Sequence, residues 1–367
     1  MKKVIDGFRT TGGKHCITNA LKQIFDYYGI SLTEELIFGL GEGLDFTYIN
    51  LANAPMISGR SKVMEFEAIL SQHLEAKINF KTGKDYNKIL QVTKRMIDAN
   101  QPVLVYVDMP YLPYLSLNAD SHFGGHAVVI FGYDDEQEMF YVSDRDNSDF
   151  PIATPKGSIA ENYHLVSYTQ MQKARTSTAR PFPANSKYIA EIRFSNCMDI
   201  KAENILSAIA GVCNKMLNPP AKLKGICGIE KFSKEILKWS SFEIEKLKRA
   251  GTTNYFQISK DGGTGGGIFR KMYGDFLIES SILLNCHTIR EIGLQYISLS
   301  ARWDKIADSM WQLSVGGDAS QLSAVSLEIR ALHDLERNLL LDLKSVCEAR
   351  WHCRHLKTRE KDTYSKI

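Results

Sequence analysis

The sequence has no apolar run approaching the roughly 18–20 residues that cross a bilayer, and its opening Met-Lys-Lys-Val-Ile-Asp-Gly-Phe-Arg lacks the apolar stretch of a signal peptide. The expectation is an unexported, cytoplasmic protein with no membrane partner. Cysteine is sparse: seven among 367 residues, far apart, without the short paired spacings of zinc ribbons or thioredoxin-like motifs. That argues against a disulfide framework or a metal centre and for reduced thiols. Charge of one sign is scarce as well. The net charge is +3, but residues 350–367 hold six Lys or Arg against Glu360 and Asp362, which leaves the rest of the chain near −1. A nucleic-acid reader would spread a basic stripe over its folded part, and none is visible, so no nucleic-acid partner is expected. There is no nucleotide loop. The run Gly262, Gly263, Gly265, Gly266, Gly267 lacks a Gly-Lys-Ser or Gly-Lys-Thr ending and a preceding strand. It reads as a flexible connection into a helix starting at Phe269, or as a loop that touches substrate. Internal repeats and low-complexity segments are absent.

What is present divides in two. The length allows two domains, each with its own core. In the first half, Leu21, Ile24, Phe25 and Tyr28 recur at helical spacing over 16–28, and Ser31 with Glu34 offers a capping box for a helix through Phe38. Further helices fit 63–74 and 86–99. Strands are signalled by β-branched and aromatic residues over 103–107, 127–133, 139–143 and 188–194, with 134–137 as a hairpin turn. Beyond 199 helical patterns take over, at 200–217, 229–239, 242–248, 269–284, 289–313 and 319–347, with Trp303 and Trp311 assigned to the helical core. The expected fold class is α+β: a catalytic domain over 1–197, an all-helical domain over 198–349, and a mobile basic tail over 350–367.

Cys16 stands apart from the other six cysteines. It follows Thr-Thr-Gly-Gly-Lys-His and opens an amphipathic helix, where unpaired N–H groups and the helix dipole favour a thiolate and can hold an oxyanion. His126 sits where a glycine turn feeds an apolar strand, Gly125-His-Ala-Val-Val-Ile. Asp144 follows the next strand, and a hairpin turning at 134–137 brings positions 126 and 144 to one end. A thiol, a base and an acid that orients the base make a nucleophilic constellation. His15 reads as a loop contact, because adjacent residues at a helix start point in different directions. His122 competes with His126, and Asp146 competes with Asp144.

Three segments carry a family resemblance: Thr10-Thr-Gly-Gly-Lys-His-Cys-Ile-Thr-Asn-Ala-Leu, Leu36-Ile-Phe-Gly-Leu-Gly-Glu-Gly-Leu and Gly125-His-Ala-Val-Val-Ile-Phe-Gly-Tyr-Asp. They resemble the amino-terminal domain of the butirosin biosynthesis protein H family. The run from Asp261 to Leu277 resembles its helical companion domain. The resemblance implies a papain-like, cysteine-peptidase-type fold and an acyltransferase of antibiotic assembly. In such an enzyme, an acyl group held as a phosphopantetheine thioester on an acyl or peptidyl carrier protein passes through Cys16 to a small amine acceptor. No cofactor of its own is implied, since the phosphopantetheine arrives on the carrier protein. Cys16 matches the family's nucleophile and His126 its histidine, with Asp144 as the acid. Related peptidases place a glutamine ahead of the cysteine for the oxyanion hole, but here none precedes Gln23. The Cys16 amide with a group from Thr11, Gly13 or His15 is expected in that role. A cysteine peptidase or amidase with the same triad, and a non-catalytic carrier-protein-binding module, are the alternative readings.

Overall fold

A computed structural model describes residues 1–194 and 200–364, with side chains described through residue 350. The expected boundary at 197/198 lies outside the described residues. The first elements are β1 (Lys2–Val4), α1 (Cys16–Tyr27), α2 (Glu34–Leu40), β2 (Leu44–Asn50), β3 (Pro55–Arg60) and α3 (Glu65–His73). Next come β4 (Lys77–Lys81), α4 (Tyr86–Asp98), β5 (Val103–Val107), β6 (His126–Asp134), β7 (Met139–Ser143), β8 (Ile152–Thr154) and β9 (Gly157–Ile159). Then follow β10 (His164–Ser167), α5 (Tyr168–Thr176) and β11 (Tyr188–Arg193). The remainder is helical: α6 (Ala202–Leu217), α7 (Gly225–Glu235), α8 (Ile244–Ile258), α9 (Arg270–Leu284), α10 (His287–Gly316) and α11 (Leu322–Tyr364). These elements form two compact units, residues 1–37 with 75–194 and residues 38–74 with 200–364.

The first unit is an antiparallel sheet in the order β10-β7-β6-β5-β11-β4, with β1 continuing along β6 beyond β5. Every residue of β6 is buried, which explains its unbroken apolar run: a central strand covered on both faces has no polar side to present. α1 and α4 pack against it, and Val105, Val128, Ile130, Phe140 and Val142 lie in one apolar core with Ile97 of α4. α1 forms because Ile17, Leu21, Ile24 and Phe25 recur at helical spacing, and all four are buried. The hairpin of β6 and β7 pairs Val129 with Ser143 and Ile130 with Val142, and a bulge follows before Gly132 pairs with Tyr141. Continued to the strand ends, that register sets position 144 opposite Val128. His126 and Asp144 therefore share a face but stand diagonally, two residues out of the register that the sequence suggested. The turn closes between Asp134 and Met139, three residues beyond the expected pairing sum, and the bulge at Phe131 takes one of them back.

The second unit differs from an all-helical domain. It takes in the β2–β3 hairpin and α3 from the first part of the sequence. The α8 side chain of Asn254 holds that hairpin, donating Nδ2 to the Pro55 carbonyl at 2.9 Å and accepting the Ile57 N–H at 2.9 Å. α9 and α10 cross at Gly274 and Gly293, where a Cβ on either would meet the other's carbonyl at 2.9 Å. Arg270 and Glu336, both fully buried, form an ion pair, and Arg270 lies over the rings of Phe46 and Trp303. Trp303 is buried as expected, whereas Trp311 is 44 % exposed and outside the core.

The glycine run is a packed loop and not a flexible connection. Gly263 and Gly265–Gly267 have positive φ, the Thr264 hydroxyl donates to the Ile258 and Ser259 carbonyls, and Gly267 N–H donates to Asp304 at 2.8 Å. A Cβ at Gly267 would lie 2.4 Å from the Ser300 backbone, so only glycine fits there. α11 continues through Tyr364, into the stretch expected to be a mobile tail. Among the described residues, no helix is long and apolar enough to cross a membrane.

Candidate active site

The amino end of α1 is held by a carboxylate from another helix. Ser31 and Glu34 do not make the expected capping box; Thr33 caps α2 instead, its Oγ1 accepting the Leu36 N–H at 3.1 Å. That frees Glu34 to reach the loop before Cys16. Its Oε1 accepts the Lys14 N–H at 2.7 Å, and its Oε2 accepts the His15 N–H at 3.1 Å and the Thr18 hydroxyl at 2.7 Å. Burial pushes the Glu34 carboxyl above its ordinary value, and these three donors offset the rise only in part. Gly13 must be glycine, since a Cβ would lie 2.4 Å from Asn19 Nδ2 and 2.5 Å from Glu34 Oε1. Its N–H donates to the Arg145 carbonyl at 2.8 Å, which ties the loop to the segment after β7.

These bonds correct part of the expected oxyanion set. The Gly13 and His15 amides are both committed, so neither can donate to a substrate oxygen in this arrangement. Thr11 differs: its carbonyl accepts Asn19 Nδ2 at 3.1 Å, while its buried hydroxyl has no hydrogen-bond partner. The Cys16 amide lies in the first helical turn, where backbone geometry provides no intrahelical acceptor. Gln23 is a strut between helix and sheet: its Oε1 accepts the Ser143 hydroxyl at 2.6 Å, and its Nε2 donates to Asn19 Oδ1 at 2.6 Å.

The sheet brings His126 and Asp144 together. His126 opens β6, and its Nε2 lies 2.7 Å from Asp144 Oδ2, with both side chains buried. Asp144 Oδ1 accepts the Arg145 N–H at 2.7 Å, and Oδ2 also accepts the Tyr114 hydroxyl at 2.9 Å. Burial alone would raise the Asp144 carboxyl. The His126 charge and hydrogen bond, aided by Arg145, outweigh it and bring the pKa down to about 2.

His126 moves the other way. Burial disfavours its charged form, yet Asp144 and Cys16 raise its pKa to about 10. The Cys16 thiol is within hydrogen-bonding reach of both His126 and His15, and their charges hold its pKa well below the ordinary thiol value despite burial. The shifts of Cys16 and His126 are one coupling seen from two sides. The favoured resting state is a thiolate beside an imidazolium, with Asp144 ionised behind it.

The competing residues have their own partners. Asp146 pairs with His164 Nε2, at 2.9 and 3.0 Å, and accepts the Glu161 N–H. His122 Nδ1 lies 2.7 Å from Asp108, a fully buried carboxylate that also accepts the Phe123 N–H and the Ser177 hydroxyl. His15 makes the local contact expected of it, its Nδ1 lying 3.4 Å from the Thr18 hydroxyl, and its imidazole is also within hydrogen-bonding reach of the Cys16 thiol.

Sequence reasoning missed Tyr114, Glu34 and Thr18. Tyr114 lies in a single 3-10 turn, Pro113–Leu115, too short for a periodic pattern to mark it, and the other two read as ordinary helix residues. Among the described residues, no group of three or more His, Cys, Asp or Glu is placed to hold a metal ion.

Comparison with known families agrees with the segments that carried the resemblance, although no curated protein matches the chain. The family described as butirosin biosynthesis protein H, N-terminal, matches residues 15–145, which include Cys16, His126 and Asp144. A domain of unknown function, DUF4872, matches residues 169–343. With these two domains in succession, the chain belongs to the butirosin biosynthesis protein H-like family.

Proposed function

We propose that this protein is an amide-forming acyltransferase of antibiotic biosynthesis, with a papain-like catalytic arrangement of Cys16, His126 and Asp144. The observation that carries the proposal is the raised acidity of the Cys16 thiol, which lies within hydrogen-bonding reach of an imidazole that is itself bonded to a buried carboxylate. The family name supplies the biosynthetic setting. The donor is an acyl group on the phosphopantetheine thioester of an acyl or peptidyl carrier protein, and the acceptor is a small amine. No cofactor belongs to the enzyme itself in this reading, and it works in the cytoplasm.

The thiolate attacks the thioester carbonyl, and the oxyanion of the tetrahedral intermediate is held by the Cys16 amide with the uncommitted Thr11 hydroxyl. Collapse expels the pantetheine thiolate, which takes the proton from His126. The now neutral His126 accepts a proton from the attacking amine in the second half, and the Cys16 thiolate leaves as the amide forms. Asp144 keeps the His126 tautomer and stabilises its charged form without making or breaking a bond. One thioester replaces another in the first half and aminolysis runs downhill in the second, so no nucleotide is consumed.

The test is the product partition with an acyl carrier protein and a panel of amines, read by mass spectrometry. Amide formation that requires Cys16 supports transfer. Free acid as the sole product, whatever the amine concentration, would instead establish a hydrolase.

A further inference from the structure

An alkyl amine carries a proton near neutrality, since an ammonium of the lysine type has a pKa of about 10.4. Such an acceptor must lose one proton before it can attack and a second as the amide forms. His126 has room for one. Against the same thiol stands a second imidazole with its own carboxylate behind it. The Thr18 hydroxyl donates to Glu34 Oε2 at 2.7 Å, so its oxygen is left to accept from His15 Nδ1 at 3.4 Å. This network puts the proton of a neutral His15 on Nδ1 and leaves the lone pair on Nε2. Glu34 is fixed in turn by the Lys14 and His15 amides, and Thr18 and His15 are both buried. The thiol is thus flanked by two imidazoles, His126 backed by Asp144 and His15 backed through Thr18 by Glu34.

We propose that His15 is a second catalytic base, which takes the first proton of an incoming ammonium while His126 takes the second. The inference rests on the acyl-transfer reading above. Once Cys16 is acylated and its thiolate is gone, His15 gives its proton to water, and its Nε2 then accepts a proton from the ammonium and leaves a neutral amine. That amine forms the C–N bond and passes its second proton to His126, and the C–S bond breaks to return the thiolate beside a protonated His126. Every proton is placed, and the resting state is recovered.

The test compares two amines on one acyl-enzyme. Cys16 is loaded with an acetyl thioester of N-acetylcysteamine, then chased at pH 7 with ethylamine, which is protonated, or with 2,2,2-trifluoroethylamine, which is largely free base. The readout is the ratio of the two aminolysis rates, which cancels any change in the thiol itself. For His15→Gln the ratio of ethylamine to trifluoroethylamine should fall about a hundredfold, the lower end of the range for a general base, and recover near pH 10. Thr18→Val, which keeps the shape but breaks the link to Glu34, should lower it in the same direction. A ratio within about twofold of the wild type in both variants would overturn the role of His15 and leave acyl transfer standing. A wild-type protein that takes no acyl group would instead overturn the acyl-transfer reading, and this inference with it.

Discussion

Replacing Asp144 by Asn removes a charge from a buried hydrogen bond while keeping its shape. In the structure His126 Nε2 sits 2.7 Å from that carboxylate, whose own pKa is held at about 2 and which lifts the imidazole to about 10. A hydrogen bond to a charged group contributes about 1.5–3 kcal/mol, so losing the charge should cost the imidazolium roughly 10- to 100-fold in population. The direction in pH follows. A fall of that size from about 10 leaves His126 charged where the thiolate forms, so the change falls on the limb on which the imidazolium gives up its proton, which moves to lower pH. Titration of the His126 imidazole by NMR from about pH 6 to 11 should show that limb displaced downward by about 1–2 pH units in Asp144→Asn. Asp146→Asn, whose carboxylate is engaged by His164, should leave the limb in place. A displaced limb for Asp146→Asn with an unchanged one for Asp144→Asn would refute the assignment of the orienting acid.

Other outcomes follow from single contacts. Tyr114→Phe removes the hydroxyl that shares Asp144 Oδ2 with His126, and should slow acyl transfer roughly 3- to 10-fold with a shifted pH profile, measured by steady-state kinetics. Glu34→Ala strands two amides and a buried hydroxyl, at roughly 1–3 kcal/mol each, so a clear loss in thermal midpoint is expected by calorimetry. Arg270→Met leaves Glu336 buried without its partner and should destabilise by about 3–5 kcal/mol in urea unfolding, while Arg270→Met with Glu336→Leu should regain much of the loss.

The clustering of Cys16, His126 and Asp144 was legible because each carries a local signal: a glycine-preceded helix start, a strand start after a glycine turn, and the end of the next strand. The hairpin register was misjudged because the turn lies at 135–138, later than the acidic pair suggested, and the bulge between Ile130 and Gly132, which takes one residue back, leaves no mark in the pattern of apolar residues. Parity survived the slip, so His126 and Asp144 still share a face. The β2–β3 hairpin was missed because Asp45, Asn50, Pro55 and Gly59 interrupt the strand pattern of Leu44–Asn50 and Pro55–Arg60, and its clamp, Asn254, lies some two hundred residues away. Glu34 illustrates the same limit. Its spacing from Ser31 fits a capping box, but three donors around Cys16 compete for its carboxylate and win. Such long-range partners have no periodicity and are visible only once the chain is folded.

The central claim is a covalent acyl group on Cys16 that an amine removes. Intact-mass measurement in a single turnover, with excess enzyme and an acyl carrier protein or acyl-pantetheine thioester, tests it directly. The account predicts a mass increase equal to the acyl group, mapped to Cys16, absent in Cys16→Ala and discharged as an amide on addition of amine. An unmodified Cys16 while amide still accumulates, or an acyl group mapped to Cys227 or another cysteine, would contradict it.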